Sequence, residues 1–207
     1  MVDVGVLGGT FDPPHLGHLA IAAAARQKLG LQRVIFIPAG QPWLKTEMPV
    51  SPSADRFEMV RLAIAPFPQF EISRIEIDRS GPSYSYDTIR ELRAGLPNSV
   101  EVFFLLGWDS LAQLPRWHEA VRLVQECRLV AVPRPGHARP DLAELERVIP
   151  GIAGRVTMLD IPEVNISATD IRQRFARGLS AADLVPPAVE TYIRDHGLYL
   201  GARHPGS

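Results

Sequence analysis

The sequence predicts an α/β protein with a Rossmann-like, open, mostly parallel sheet and helices on both faces. Three observations carry this expectation. Short β-branched runs alternate with helix-periodic stretches along the chain. The first apolar run ends in Gly8-Gly9 and leads within a few residues into an amphipathic pattern. Glycines, aromatics, hydroxyls and charges collect after the apolar runs, where ligands bind beyond the carboxyl ends of parallel strands.

The elements follow in order. Residues 2–7 read as the first strand. Leu16, Leu19, Ala20 and Ala23 then recur at i, i+3, i+4 and i+7, one face of a helix. A second strand at 33–37 runs into a proline-rich loop at 38–52, followed by a helix at 53–65. A third strand is expected at 70–77, a helix at 85–94 and a fourth strand at 100–106. A helix at 115–125, a strand at 128–132, a loop at 133–140 and a helix at 142–148 come next. The sixth strand, 156–160, precedes helices at 167–177 and 187–196. Residues 1–200 are expected to form one domain, with 201–207 as a frayed tail.

Composition narrows the classes of function. Among 207 residues, 22 basic and 23 acidic side chains leave a net charge of −1, so no overall field favours nucleic acid or membrane. No apolar run is long enough to span a bilayer, and the N-terminus lacks a basic, then apolar, leader. One cysteine excludes an internal disulfide framework and suits a reducing cytoplasm. The expectation is a cytoplasmic protein acting on small molecules, without nucleic-acid or membrane partners. A homo-oligomer is permitted by the sequence and not required by it.

The stretch Gly8-Gly9-Thr10-Phe11-Asp12-Pro13-Pro14-His15-Leu16-Gly17-His18 is the richest in chemistry. A strand feeding a glycine turn and a helix start gathers free N–H groups and the positive end of the helix dipole, which suits polyphosphate. Two imidazoles three residues apart add donors that can follow moving charge. A dinucleotide fingerprint fits poorly, because the glycines fall at 5, 8 and 9 and the second strand ends without an acid for a ribose. NAD as a bound redox cofactor is not expected. A zinc site from His15 and His18 lacks a third ligand at fitting spacing, Cys127 being far along the chain. Taken alone, the segment also fits a plain turn whose histidines cap a surface helix.

A second signal lies at Asn165-Ile166-Ser167-Ala168-Thr169-Asp170-Ile171-Arg172. Ser167 is a good N-cap, and two hydroxyls, free N–H groups and a guanidinium near one helix start form another anion cradle. Elsewhere at strand ends stand Lys45, the block Ser83-Tyr84-Ser85-Tyr86-Asp87-Thr88, Gly107-Trp108-Asp109, Trp117-His118 and Arg134. Read singly, Trp117 is as well explained as core, Asp109 as a helix cap and Lys45 as a solvated lysine.

Taken together, these residues carry a resemblance. Gly8-Gly9-Thr10-Phe11-Asp12-Pro13 with His15-Leu16-Gly17-His18 is similar to the H/T-x-G-H signature of the nucleotidyltransferase-superfamily adenylyltransferases. Residues 167–172 look like that superfamily's second motif, I-S-S/A-T-x-x-R. The blocks at 83–88, 106–111, 117–118 and 192–199 most resemble the bacterial nicotinate-nucleotide adenylyltransferases, so the likeness spans almost the whole chain. Three positions depart from the usual pattern. Pro42-Trp43-Leu44-Lys45 stands where many members have P-P-H-K/R, Ser85 replaces the commoner threonine, and Ala168 replaces a serine.

The resemblance implies transfer of AMP from ATP to nicotinate mononucleotide, giving nicotinate adenine dinucleotide and pyrophosphate in NAD biosynthesis. It assigns His15 and His18 as catalytic groups on the ATP phosphates, with His18 at the α-phosphate. Gly8, Gly9, Thr10, Phe11, Gly107, Asp109, Ser167, Thr169 and Arg172 would complete the ATP site, with Asp109 near a ribose. Lys45, Tyr84, Ser85, Thr88, Trp117, His118 and Arg134 would hold the acceptor. The implied cofactor is Mg²⁺, carried by the ATP phosphates and water and not by protein ligands. Other acceptors (phosphopantetheine, nicotinamide mononucleotide), a cytidylyl donor, or a non-catalytic nucleotide sensor are the competing readings. The length and the Trp117 block speak against phosphopantetheine and cytidylyl transfer, and the histidines with Arg172 against a sensor.

Overall fold

In a computed structural model, residues 3–42, 50–162 and 164–200 are described. Lys45 and the tail at 201–207 therefore lie outside the described residues. Six strands, β1 (Val4–Gly9), β2 (Arg33–Pro38), β3 (Phe70–Ile72), β4 (Val102–Gly107), β5 (Arg128–Val132) and β6 (Val156–Met158), form one sheet in the order β3-β2-β1-β4-β5-β6. Every pairing is parallel. The order grows outward in both directions from β1 and β4, so chain connections leave that pair toward opposite edges.

Alternation along the strands sends side chains to two cores. Leu7, Val34, Phe36, Phe103, Leu105, Val130 and Val132 face one layer. It is built from helices α1 (Leu16–Leu29), α2 (Ser53–Ile64), α7 (Ala168–Ala176) and α8 (Pro187–Asp195). Val4, Val6, Ile35, Ile37, Val102, Phe104, Leu106, Leu129 and Ala131 face the other. There α3 (Ser85–Ala94), α4 (Trp108–Gln113), α5 (Ala120–Glu126) and α6 (Leu142–Val148) complete the packing. Strands buried on both faces read as continuous apolar runs, as the sequence has them. Among the described residues, no helix is long and apolar enough to cross a membrane.

Two expected elements differ. The third strand stops at Ile72, not at residue 77. The chain leaves the sheet at Ser73 and makes a turn in which the N–H groups of Ile77 and Asp78 both donate to the Arg74 carbonyl. The Ile-x-x-Ile-x-Ile pattern there serves a turn that packs Ile75 on the second core and buries Glu76. The helix expected at 115–125 is shortened to α5, a 3₁₀ turn at Leu114–Arg116 taking its start, and α4 precedes both where no helix was expected. Between them Trp117 is extended and Glu119 is left-handed at φ 53°.

One glycine in the β2–α2 connection permits close approach of two loops. A Cβ on Gly40 would stand 2.0 Å from the Glu76 carbonyl oxygen. Gly154, by contrast, has none of the described residues within 4 Å of such a Cβ. Gly40→Ala should therefore cost about 1–3 kcal/mol, the usual scale for forced overpacking. Gly154→Ala should leave stability within about 0.5 kcal/mol, like other unconstrained surface changes. Urea denaturation of both variants checks this; equal midpoints would mean the two loops separate at no cost.

Candidate active site

The carboxyl ends of β1 and β4 open into a cleft of about 700 Å³ at the point where strand order reverses. A smaller pocket of about 260 Å³ adjoins it, sharing His15, His18, Arg134 and Ser167. Gly8 and Gly9, read from the sequence as a turn, are still strand and pair with Ile37 and Pro38. The turn comes later, at Phe11, whose φ of 51° is left-handed. That backbone swings the Phe11 ring over Gly9, where a Cβ would meet it at 3.3 Å. The ring is buried and lies edge-on to His18, 4.9 Å away. The glycine therefore makes room for an aromatic wedge behind the imidazole.

His15 is the N-cap of α1 and His18 lies in its first turn. Their rings stack at 3.7 Å with an angle of 26°. The His15 N–H donates to His18 Nδ1 at 3.2 Å. Because Nδ1 accepts, the His18 ring proton sits on Nε2, which fixes the tautomer. Burial, with the Arg134 charge adding to it, lowers the His15 pKa to about 4. His15 is thus neutral at physiological pH, a neighbour that packs against His18 without repelling it.

The lining is held from behind by Arg56, which the sequence reading missed, and by Asp12 and Ser83, which it quoted in motifs without giving them a role. Arg56, 1% exposed, donates through Nη1 to the Thr10 carbonyl (2.8 Å) and through Nε to that of Ser51 (2.9 Å). It also reaches the Gly40 carbonyl at 3.3 Å. The Asp12 carboxylate, also buried, accepts from the Ser51 N–H at 3.2 Å and from the Tyr199 hydroxyl. Ser83 Oγ accepts from the N–H groups of Gly40 and Gln41 at 2.9 and 3.1 Å, joining two strand-end loops. Arg56 was legible in principle: it shares one helix face with Met59, Val60 and Ala63, at i, i+3, i+4 and i+7. A charge on a core face signals a buried partner.

On the α7 side, Ser167 caps the helix by accepting from the Asp170 N–H at 3.4 Å. Arg172 donates to the Asp12 carbonyl at 2.7 Å and to Thr169 Oγ1 at 3.3 Å. Its guanidinium therefore joins the two halves of the cleft directly. At the end of β4, Asp109 pairs with Arg134 at 3.4 Å. Its other oxygen, Oδ1, is buried and has no hydrogen-bond partner among the described residues, and the same holds for Trp117 Nε1. Gly107 stands beside this carboxylate and lines the adjoining pocket.

On the acceptor side, Ser85, Thr88 and Trp117 line the cleft, while Tyr84 and His118 stack on each other at 4.3 Å and are not among its lining residues. The Thr88 hydroxyl is already engaged: it donates to buried Glu76 at 2.7 Å and accepts from Arg79 at 2.9 Å. Burial raises the Glu76 pKa, against the hydrogen bonds from Thr88 and Ser83 and the Arg79 charge. Among the described residues, no group of three His, Cys, Asp or Glu side chains is placed to hold a metal ion.

Comparison with known proteins shows the family and the fold. The cytidylyltransferase-like family profile matches residues 6–174. A Dehalococcoides mccartyi protein named "probable nicotinate-nucleotide adenylyltransferase" is 50% identical over 195 residues, covering 94% of this chain and 96% of its own. The Thermus thermophilus protein of the same name is 45% identical over 196 residues, with coverage of 95% and 98%. Among solved structures, the Plasmodium falciparum nicotinic acid mononucleotide adenylyltransferase complexed with NaAD superimposes with a TM-score of 0.78. The shared identity is 19%, and 96% of this chain and 98% of that one are covered.

Proton linkage at His15 gives a measurable consequence. Its pKa falls from 6.5 in the unfolded chain to about 4 in the fold, so between those values the unfolded state binds more protons. Stability is full above about pH 6.5 and is lost as pH falls toward 4, by up to about 3 kcal/mol. Glu76 contributes with the opposite sign, and comparing wild type with His15→Gln cancels it. Urea titrations at pH 7, 6 and 5 should show a stability gap between the two proteins that changes with pH. A constant gap would mean His15 is not desolvated in the fold.

Proposed function

Because the chain belongs to the nicotinate-nucleotide adenylyltransferases of the cytidylyltransferase-like family, we propose that its cleft is the seat of adenylyl transfer. The protein transfers AMP from ATP to nicotinate mononucleotide, forming nicotinate adenine dinucleotide and pyrophosphate. The observation that supports this site best is the stacked His15–His18 pair at the start of α1, with His18 fixed as an Nε2–H donor beside the ends of β1 and β4.

The chemistry asks little of acids or bases. A phosphate oxygen of the acceptor, already ionised, attacks the α-phosphorus of ATP. The bond to the bridging oxygen breaks, and the electron pair leaves with pyrophosphate. Catalysis is then alignment of two polyanions and stabilisation of charge as it shifts to the leaving group. We assign the His18 Nε2–H to the α-phosphate, where a neutral donor strengthens its bond as charge develops. His15 holds that tautomer through its backbone N–H and packs beneath the ring. Backbone at Gly8, Gly9, Thr10 and Phe11 lines the phosphate path, and Ser167, Thr169 and Arg172 receive the β- and γ-phosphates at the start of α7. ATP enters as its Mg²⁺ complex, the ion riding on phosphate and water. Asp109 Oδ1, buried and unpartnered among the described residues, is suited to a ribose hydroxyl, with Gly107 leaving it room.

The acceptor is placed against Ser85 and Trp117. The first turn of α3 offers N–H donors without helical partners and a dipole that favours a carboxylate. Such donors suit the two anionic oxygens of nicotinate and oppose the NH₂ of a carboxamide. Trp117 can stack on the cationic pyridine ring, worth about 0.5–2 kcal/mol. The Arg134 guanidinium, and Lys45 from outside the described residues, are assigned to the acceptor phosphate. Tyr84 and His118 frame the rim as a stacked pair, and Thr88 supports the acceptor wall through Glu76 without a free hydroxyl proton of its own. A chain with one cysteine suits the reducing cytoplasm, where we place the reaction.

Pyrophosphate release tests the reading. With ATP as donor, kcat/KM for nicotinate mononucleotide should exceed that for the nicotinamide form by roughly ten- to a few-hundred-fold, the cost of a buried donor facing a donor. Ser85→Ala should narrow that gap and Trp117→Ala should weaken both acceptors. Equal turnover of the two, or preference for phosphopantetheine or CTP, would overturn the acceptor assignment. His18→Ala should lower kcat by about 10²–10³ with ATP binding retained, because the lost stabilisation lies in the transition state. Near-normal turnover would remove His18 from the mechanism.

A further inference from the structure

Tyr199 lies just beyond α8, far in sequence from the phosphate-binding turn, yet its hydroxyl donates to Asp12 inside that turn. The residue has a left-handed φ of 62°, an uncommon conformation for tyrosine. Its ring is tilted against buried Phe175 of α7, with centroids 6.4 Å apart. Asp12 is 6% exposed and carries three connections. One carboxylate oxygen takes the Tyr199 hydroxyl and the other takes the Ser51 N–H, while the backbone carbonyl takes Arg172. Asp12 thus ties the β1–α1 turn to the approach to α2, to α7 and to the segment after α8. Burial and the Asp12 charge raise the Tyr199 pKa, so the hydroxyl remains a donor at any working pH.

We propose that Tyr199 is a positioning residue. By holding the Asp12 carboxylate, it fixes the turn that presents Thr10, His15 and His18 and the carbonyl that anchors Arg172. The hydroxyl touches none of the reacting atoms; it acts through Asp12. Without it, one oxygen of a buried carboxylate loses its partner, and the turn gains freedom where displacements of an ångström are costly to rate. The proposal rests on the adenylyl-transfer reading for its kinetic test, and on the fold alone for its structural one.

A second tyrosine supplies the control. Tyr192, on α8, donates to Asp55 at 2.8 Å on the first turn of α2 and lies outside the cleft. Tyr192→Phe removes a bond of the same kind without touching Asp12.

Kinetics and hydrogen exchange on wild type, Tyr199→Phe, Tyr192→Phe, Asp12→Asn and the Asp12→Asn/Tyr199→Phe double variant decide the matter. Tyr199→Phe should lower kcat about tenfold, with each KM and the melting temperature little changed. Amides of residues 10–18 and 50–53 should exchange faster, while the strands keep their protection. Tyr192→Phe should keep kcat within about twofold. In the Asp12→Asn background, Tyr199→Phe should add less than about a twofold loss, because both act through one contact. Wild-type kcat and exchange in Tyr199→Phe would overturn the proposal, as would equal kinetic losses in the two tyrosine variants or multiplying effects in the double variant. If wild type itself transfers no AMP to nicotinate mononucleotide, the functional reading falls, and exchange in residues 10–18 still decides the role of Tyr199.

Discussion

The pairing of β1 on both sides is the constraint from which the rest of this molecule follows. Its register runs Val4 to Arg33 on one flank and Val4 to Val102 on the other. With every strand parallel, all carboxyl ends point one way. With connections leaving β1 and β4 toward opposite edges, the loops part and leave a cleft. Loops of this kind would be poorly held by themselves, since their backbone groups have no sheet partners. Arg56 supplies those partners, offering three of its donor positions to carbonyls of Thr10, Gly40 and Ser51. A buried guanidinium is costly unless it is well bonded. Here its cost is offset by carbonyls that would otherwise be unpaired themselves, and the Asp12 charge nearby helps to keep it ionised.

The histidine pair shows how the same framework tunes chemistry. Two imidazolium ions stacked at 3.7 Å would repel strongly in a partly buried site. Burial settles the matter for His15, and the bond from its backbone settles which nitrogen of His18 carries the proton. The result is a donor with a set direction and no net charge. It complements the cationic groups, Arg172 and Arg134, which stand around the same cleft.

Much of this was legible from residues alone, and the reasons differ from place to place. The helix at 16–29 was legible from its apolar residues, but not its face. Leu19, Ala22 and Ala25 are buried, whereas Leu16, Ala20 and Ala23, read as part of the core face, are exposed, because the run 19–25 is apolar at every position and cannot mark a side. The core strands did so because parallel strands buried on both faces leave continuous apolar runs. The alternation after Phe70 misled because a turn that buries Ile75 and Glu76 produces the same pattern as a strand. The glycines at 8 and 9 misled in the other direction, since strand glycines next to an aromatic wedge look like a turn. Ser167, Thr169 and Arg172 came from local spacing around a helix start. Arg56 was marked only as a charge on a core helix face, and Asp12 and Tyr199 stood in motif blocks without a role, because the contacts of all three are long-range. Their partners lie 39 to 187 residues distant for Asp12 and up to 46 for Arg56, and local pattern carries no record of such contacts.

An all-parallel sheet of this order also dictates when the site can exist. No neighbouring pair of strands can be closed by a hairpin, so every ladder waits for an intervening crossover. The ladder that opens the cleft, between β1 and β4, needs residues about a hundred positions apart to meet. Closing loops of that span is entropically expensive and slow relative to local contacts. The first half of the chain can assemble β1, β2 and β3 around α1 and α2, yet it holds only one bank of the cleft. During synthesis the chain therefore has its histidines long before it has a place to use them, and activity arrives only when the second half has docked along β1.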